Sequence, residues 1–247
     1  MGMALVWGLV SGGAVLLGSL ISLVVHIPKK LLGFIMAFGV GVLIGAATFE
    51  LLQESLAKGE IMNTIIGFLT GAVTFTVLEA IISRKGGKHR KRSEIPNKKE
   101  SNNDESGIGI FIGTVMDAIP ESIMLGASLI GGKGVSLLLL LAIFISNIPE
   151  GLSSTTGMLK SGNSKKKVLM LFIAVTVIAG LSALGGYVFL DHADPKILAF
   201  ISSFAAGGII TMIGATMMPE AYEDGGAVVG LVTAFGVLTS VLLDHLG

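Results

Sequence analysis

The sequence predicts an all-α integral membrane fold: eight transmembrane helices in an inverted-repeat (3+2+3) arrangement, with both termini outside. Three observations predict it. Of 247 residues, 52% are hydrophobic and only 14% are charged, where a soluble domain carries about a quarter charged residues. The apolar residues fall in runs long enough to cross a bilayer, which takes roughly 20 residues at about 1.5 Å of rise each. The basic residues gather on alternate connections between those runs. In lipid an unpaired backbone group costs on the order of several kcal/mol, so the runs are expected to be helices. The strict alternation of a membrane barrel is absent.

The first run, 4–25, precedes every basic residue of the chain. A cleaved leader would carry its positive charge ahead of the apolar stretch, so this run reads as a retained span. Lys29 and Lys30 lead into the second run, 32–56, and the third covers 62–82. Residues 83–106 are the long polar stretch of the chain, rich in Lys, Ser, Asn and Glu. Such a composition buries too little apolar surface to order itself and reads as a flexible basic cytoplasmic loop. Its charge also suits a lipid-binding or regulatory patch. The remaining runs are 107–130, 134–158, 167–190, 197–221 and 226–245, so residues 1–247 form a single transmembrane domain. Fourteen of the 17 Lys and Arg follow the first, third and fifth runs, and Lys58, Lys133 and Lys196 lie on the other side. The positive-inside tendency makes the crowded side cytoplasmic. The glycine pairs Gly8/Gly12, Gly41/Gly45, Gly67/Gly71 and Gly226/Gly230 have the spacing that lets membrane helices pack closely. Gly39-Val40-Gly41 lies inside a run with no strand before it, so packing is a better reading than a nucleotide loop.

Carboxylates inside spans are costly and point to function. The fourth run contains Asp117-Ala118-Ile119-Pro120-Glu121-Ser122, and the fifth contains Ser146-Asn147-Ile148-Pro149-Glu150-Gly151. Both carry Ile-Pro-Glu followed by a small residue, in consecutive spans of opposite direction. That echo is expected of an inverted repeat with a site at its interface. Asp117 and Glu121 share one helical face at i, i+4, and Asn147 and Glu150 share another at i, i+3. Proline removes a backbone donor, so Pro120 and Pro149 are expected to release the carbonyls of Met116 and Ile145. Carboxylates, an amide, a hydroxyl and freed carbonyls form an oxygen-ligand set suited to a divalent cation. No basic residue lies in the body of a span to neutralise them. A second echo leads from Phe38 to Glu54 and from Phe204 to Glu220, in the second and seventh runs. Glu50, Glu54 and Glu220 are expected either along the ion's route or at the wet interface, and Glu79 at the interface. The histidines, His26, His89, His192 and His245, lie at span ends or in loops and read as surface residues.

The chain has no cysteine, which removes disulfides, thiolate ligands and a cysteine nucleophile together. Its formal net charge is zero, so nothing in its balance calls for a nucleic-acid partner. An intramembrane aspartyl protease needs two aspartates in separate spans, and Asp117 is the one in the body of a span. No histidine is placed to activate Ser146, so the chain is not expected to be an enzyme. A non-metal, proton-linked carrier using the same carboxylates is the alternative, and a membrane scaffold a further one.

The sequence resembles the ZIP (Zrt/Irt-like) family of metal transporters over nearly its whole length. The family's fifth-span motif, His-Asn-x-Pro-Glu-Gly, is matched by Ser146-Asn147-Ile148-Pro149-Glu150-Gly151 except at its first position. In the fourth span Pro120 and Glu121 are kept, and the family's His, Asn and Gly are changed. The resemblance implies a metal site of Asp117, Glu121, Asn147 and Glu150 between helices four and five. It implies transport of Zn2+, Fe2+, Mn2+ or Cd2+ toward the cytoplasm by movement of one helix group against another. No cofactor beyond the transported ion is implied. The expected setting is a plasma (inner) membrane, bacterial or archaeal, crossed many times, with the bilayer as partner; a homodimer is compatible with it. Ser182 stands where the family can carry a sixth-span glutamate, so one metal site is expected, not two. With both motif histidines gone the site is harder, which moves preference away from zinc toward manganese or ferrous iron.

Overall fold

The computed structural model describes residues 1–25, 27–59, 61–82, 103–130 and 134–246. Among these, all regular structure is helical. Helix α1 is Gly2–Val24, α2 Lys29–Lys58, α3 Ile61–Ile82, α4 Asn103–Ala127, α5 Leu137–Lys160 and α6 Lys165–Leu190. Helix α7 joins Pro195–Met212, a π-helical stretch Ile213–Met217 and Met218–Gly225, and α8 is Val229–Leu246. Seven helical runs are long and apolar enough to cross a membrane, the last being Pro195–Leu246, which takes in both α7 and α8. As a straight rod that run would measure about 78 Å. It turns back instead at Gly226, whose φ of 72° favours glycine because it has no Cβ.

The caps explain where helices begin. Ser136 accepts from Leu139 N–H at the start of α5, Ser164 from Lys167 N–H at α6, and Asp194 from Lys196 N–H at α7. Pro195 follows in the first turn of α7, where its missing N–H costs nothing. Helix α4 starts at Asn103, ahead of the position expected from hydropathy. The basic loop at 83–102 lies outside the described residues, so its flexibility and sidedness rest on composition.

Close packing divides the helices into two groups. Helix α1 packs against α5 and α6, and α6 against α4; α2 packs against α8 and α7, and α7 against α3. Within each group two crossings are made by glycines facing one another: Gly18 with Gly151 (α1/α5), Gly126 with Gly186 (α4/α6), Gly41 with Gly236 (α2/α8) and Gly71 with Gly207 (α3/α7). In all four, a Cβ on either glycine would run into the carbonyl oxygen of the residue three before its partner. Only the absence of Cβ lets two backbones approach this closely, where Cα–H···O contacts reward them. Gly8 and Gly12 also pack, against Ala179 and Ala183 of α6, Gly45 against Ser240, and Gly67 against Ser203. The pair Gly226/Gly230 does not: neither glycine has an atom near its Cβ position, and Gly226 serves the turn.

Exchanging α1 with α6, α2 with α7, α3 with α8 and α4 with α5 maps this contact pattern onto itself. The π-helical stretches Ala46–Leu52 of α2 and Ile213–Met217 of α7 fall at matching places in the two halves of the Phe-to-Glu echo. Helix α5 is the most enclosed, with 72% of its apolar window buried against 22% for α3. It joins the first group through α1 and lays its other face on α2, where Gly39 meets Ser146.

Candidate metal site

Both helices that carry Ile-Pro-Glu continue through their prolines, at Pro120 in α4 and Pro149 in α5. Asp117 and Glu121, one turn apart on α4, are 4% and 2% exposed. They line a cavity of about 110 Å³ with Gly71, Phe75, Phe204 and Met212. The acidic face of α4 therefore looks across the boundary between the helix groups, toward α3 and α7. Asn147 and Glu150 on α5 are each 4% exposed. The Asn147 side-chain amide donates to the backbone carbonyl of Ser11 on α1 at 3.1 Å, which anchors it within its own group. Ser146 is turned back onto its helix, its hydroxyl donating to Ile143 O at 3.0 Å.

All four expected ligands are thus buried on the two central helices. Asp117 and Glu121 share a cavity, and Asn147 faces α1. Among the described residues, no three His, Cys, Asp or Glu side chains stand close enough together to hold one ion.

The outlying carboxylates separate into two kinds. Glu54 is a half-buried partner of Lys58 at 2.5 Å, one turn along α2, which suits a water-facing position. Glu50 is half-buried and takes a hydrogen bond from Ser136. Both line a cavity of about 700 Å³ together with Lys58 and Asp244. Glu220 is different: it is 3% exposed, and Ser153 of α5 donates a hydrogen bond to its carboxylate. Glu79 is half-buried near the end of α3. His192 is 96% exposed, with Asp191 at 3.9 Å, and His245 is exposed. His26 and His89 lie outside the described residues.

The sequence motif ends at Gly151, but the buried polar face of α5 does not. Ser153 and Ser154 are both fully buried, three and four residues beyond Glu150. The Ser154 hydroxyl meets no hydrogen-bond partner among the described residues. The i+3 and i+4 spacing from Glu150 could have revealed both. Serine is common in membrane helices as a packing residue, and that hid them.

No profile of a known protein family matches the chain. Individual relatives do. It is 27% identical over 133 residues to the zinc transporter zipt-7.2 of Caenorhabditis elegans, a stretch covering 51% of this chain and 28% of that protein. It is 23% identical over 173 residues to the zinc transporter SLC39A7 of Canis lupus familiaris, covering 65% and 37%. To the zinc transporter SLC39A7 of Homo sapiens it is 26% identical over 129 residues, covering 50% and 28%. The matched stretches thus span between 28% and 37% of these relatives' own length.

Proposed function

The chain belongs to the ZIP family of metal transporters, and from that premise we propose that it carries a divalent transition-metal ion through the bilayer toward the cytoplasm. The observation that carries this reading is the burial of Asp117, Glu121, Asn147 and Glu150 on the two proline-bearing central helices. Placing three carboxylates inside a membrane protein is expensive unless something in the cycle uses them. A divalent cation does so, because it is held by carboxylate and amide oxygens and removes their mutual repulsion.

The topology proposed is eight crossings in an inverted 3+2+3 repeat, with the 83–106 loop cytoplasmic and both termini outside. The turn at Gly226, the matched π-helical stretches and the self-mapping contact pattern support it. Helices α1, α4, α5 and α6 move as one body against α2, α3, α7 and α8. Asp117 and Glu121 on α4 and Asn147, Glu150 and Ser154 on α5 belong to the same body, so an ion held among them travels with that body along the boundary. The ions carried are Zn2+, Fe2+, Mn2+ or Cd2+, in a multi-pass plasma (inner) membrane protein without catalytic activity. With Ser182 on α6 in place of a carboxylate, the site holds one ion.

Equilibrium dialysis of purified protein against Zn2+ and Mn2+ tests this. The expected result is one ion bound per chain, lost in the Glu121→Ala/Glu150→Ala variant. Two ions lost together in that variant would contradict the single site, and no bound ion would contradict the proposal.

A further inference from the structure

We propose that the hydrogen bond from Ser153 on α5 to Glu220 on α7 is a latch, which keeps shut the end of the molecule where those two helices finish. This rests on the two-body carrier reading above. Both partners are sealed from solvent, Ser153 at 0% and Glu220 at 3% exposure, and they belong to different helix groups. Among the described residues, Ser136 at the start of α5 also bonds across the groups, to the half-buried Glu50 of α2 at the opposite end; other bonds between helices join members of one group. Asn147 to Ser11 O, Thr155 with Ser19, Ser22 with Thr156 and Thr176 to Gly12 O tie α1 to α5 and α6. Ser55 with Thr64 and Ser55 to Ala199 O tie α2 to α3 and α7. Those bonds survive when each group moves as a body. The bond between Ser153 and Glu220 does not, because its two ends travel with different bodies.

The opposite end of the molecule is in the complementary condition. Where α5 begins, the cavity of about 700 Å³ lined by Glu50, Glu54, Lys58 and Asp244 stands open. The structure therefore has a cavity at one end and a sealed pair of polar side chains at the other. A carboxylate kept from water needs a donor, and Ser153 supplies it while the sealed end stays closed. Once that end opens, water replaces the serine, so each state offers Glu220 a donor and a small bias decides between them. Ser153 sets that bias.

The chain has no cysteine, so single thiols report on access without a background. The inner reporter is Ser154→Cys, a near-isosteric change at a fully buried position beside the latch. The outer reporter is Ala127→Cys, half-buried in the lining of the open cavity. Each is placed separately in otherwise wild-type protein and in Ser153→Ala, reconstituted in vesicles, and labelled with a membrane-impermeant maleimide without added metal. Removing the latch is expected to raise the labelling rate of Ser154→Cys about tenfold, as for loss of one hydrogen bond to a charged group. That rise is read from the face where α5 ends. Labelling of Ala127→Cys from the opposite face is expected to fall, and Ser153→Thr, which keeps the hydroxyl, to label at the parent rates. Unchanged labelling of Ser154→Cys would overturn the latch. So would faster labelling at both reporters, since general loosening opens both ends. Neither readout requires an ion, so the latch can fail while the metal-carrier proposal stands, and the reverse.

Discussion

The Asn147 amide donates to Ser11 O on α1, which turns its own oxygen away from α1. This fixes which atom of the side chain is offered to an ion. Asn147→Ala is expected to lose about 1 kcal/mol of stability, the usual worth of one intramolecular hydrogen bond. Asn147→Asp is expected to melt lower still without metal, because it sets a carboxylate oxygen against a carbonyl. Melting curves in detergent distinguish the two; an Asp variant as stable as wild type would contradict this orientation. Lys58→Ala removes a pair whose members are 42% and 33% exposed, and the same melts are expected to move by less than about 1 kcal/mol. At this scale the candidate ligands were legible, because a carboxylate within an apolar run is conspicuous. The partner of Asn147 was not legible, since a backbone carbonyl more than a hundred residues away leaves no mark on the sequence. The status of Glu220 was open in the sequence, and its burial removes the water-facing reading.

Helices begin and end close to where hydropathy places them, since bilayer thickness constrains length on its own. The largest differences are four residues each, at the start of α4, where a polar first turn extends the helix into stretch 83–106, and at the end of α7, which runs on to Gly225. The π-helical segments of α2 and α7 leave no composition signal, because an extra residue in one turn alters geometry and not hydropathy. The four-residue glycine spacing was a mixed guide. It marked three packing faces correctly, but neither Gly226 nor Gly230 has an atom near its Cβ position. It also passed over Gly18, Gly126, Gly151, Gly186, Gly207 and Gly236, whose pairing partners are on other helices. This sets an element-scale prediction. Gly151→Ala drives a methyl into the carbonyl of Val15 and is expected to cost about 1–3 kcal/mol or more. Gly13→Ala, with nothing within 4 Å, is expected to be neutral or to gain up to about 1 kcal/mol from backbone entropy. Equal melting of the two variants would remove the close-contact argument.

At the scale of the molecule, the Ile-Pro-Glu and Phe-to-Glu echoes raised the expectation of a repeat, with which the self-mapping contact pattern agrees. Which helices pack together was not legible, because the close crossings are made by glycine pairs distant in sequence. The boundary between groups offers a direct check. A Cβ at Gly39 on α2 would sit 3.5 Å from the Cβ of Ser146 on α5, within the range a disulfide spans. Oxidising the Gly39→Cys/Ser146→Cys variant is expected to stop ion flux, and reduction to restore it. Undiminished flux after complete cross-linking would mean that the two groups do not move against each other.

The central claim, that buried carboxylates on α4 and α5 carry a divalent ion across the membrane, is tested most directly by flux. Proteoliposomes holding a metal-sensitive dye are offered Zn2+, Cd2+, Mn2+ and Fe2+, with wild type compared against Glu121→Ala/Glu150→Ala. Wild type is expected to fill the vesicles with at least one of these ions, and the double variant to match protein-free vesicles. Folded wild-type protein that passes none of the four, or a double variant that passes them as fast, would contradict the account.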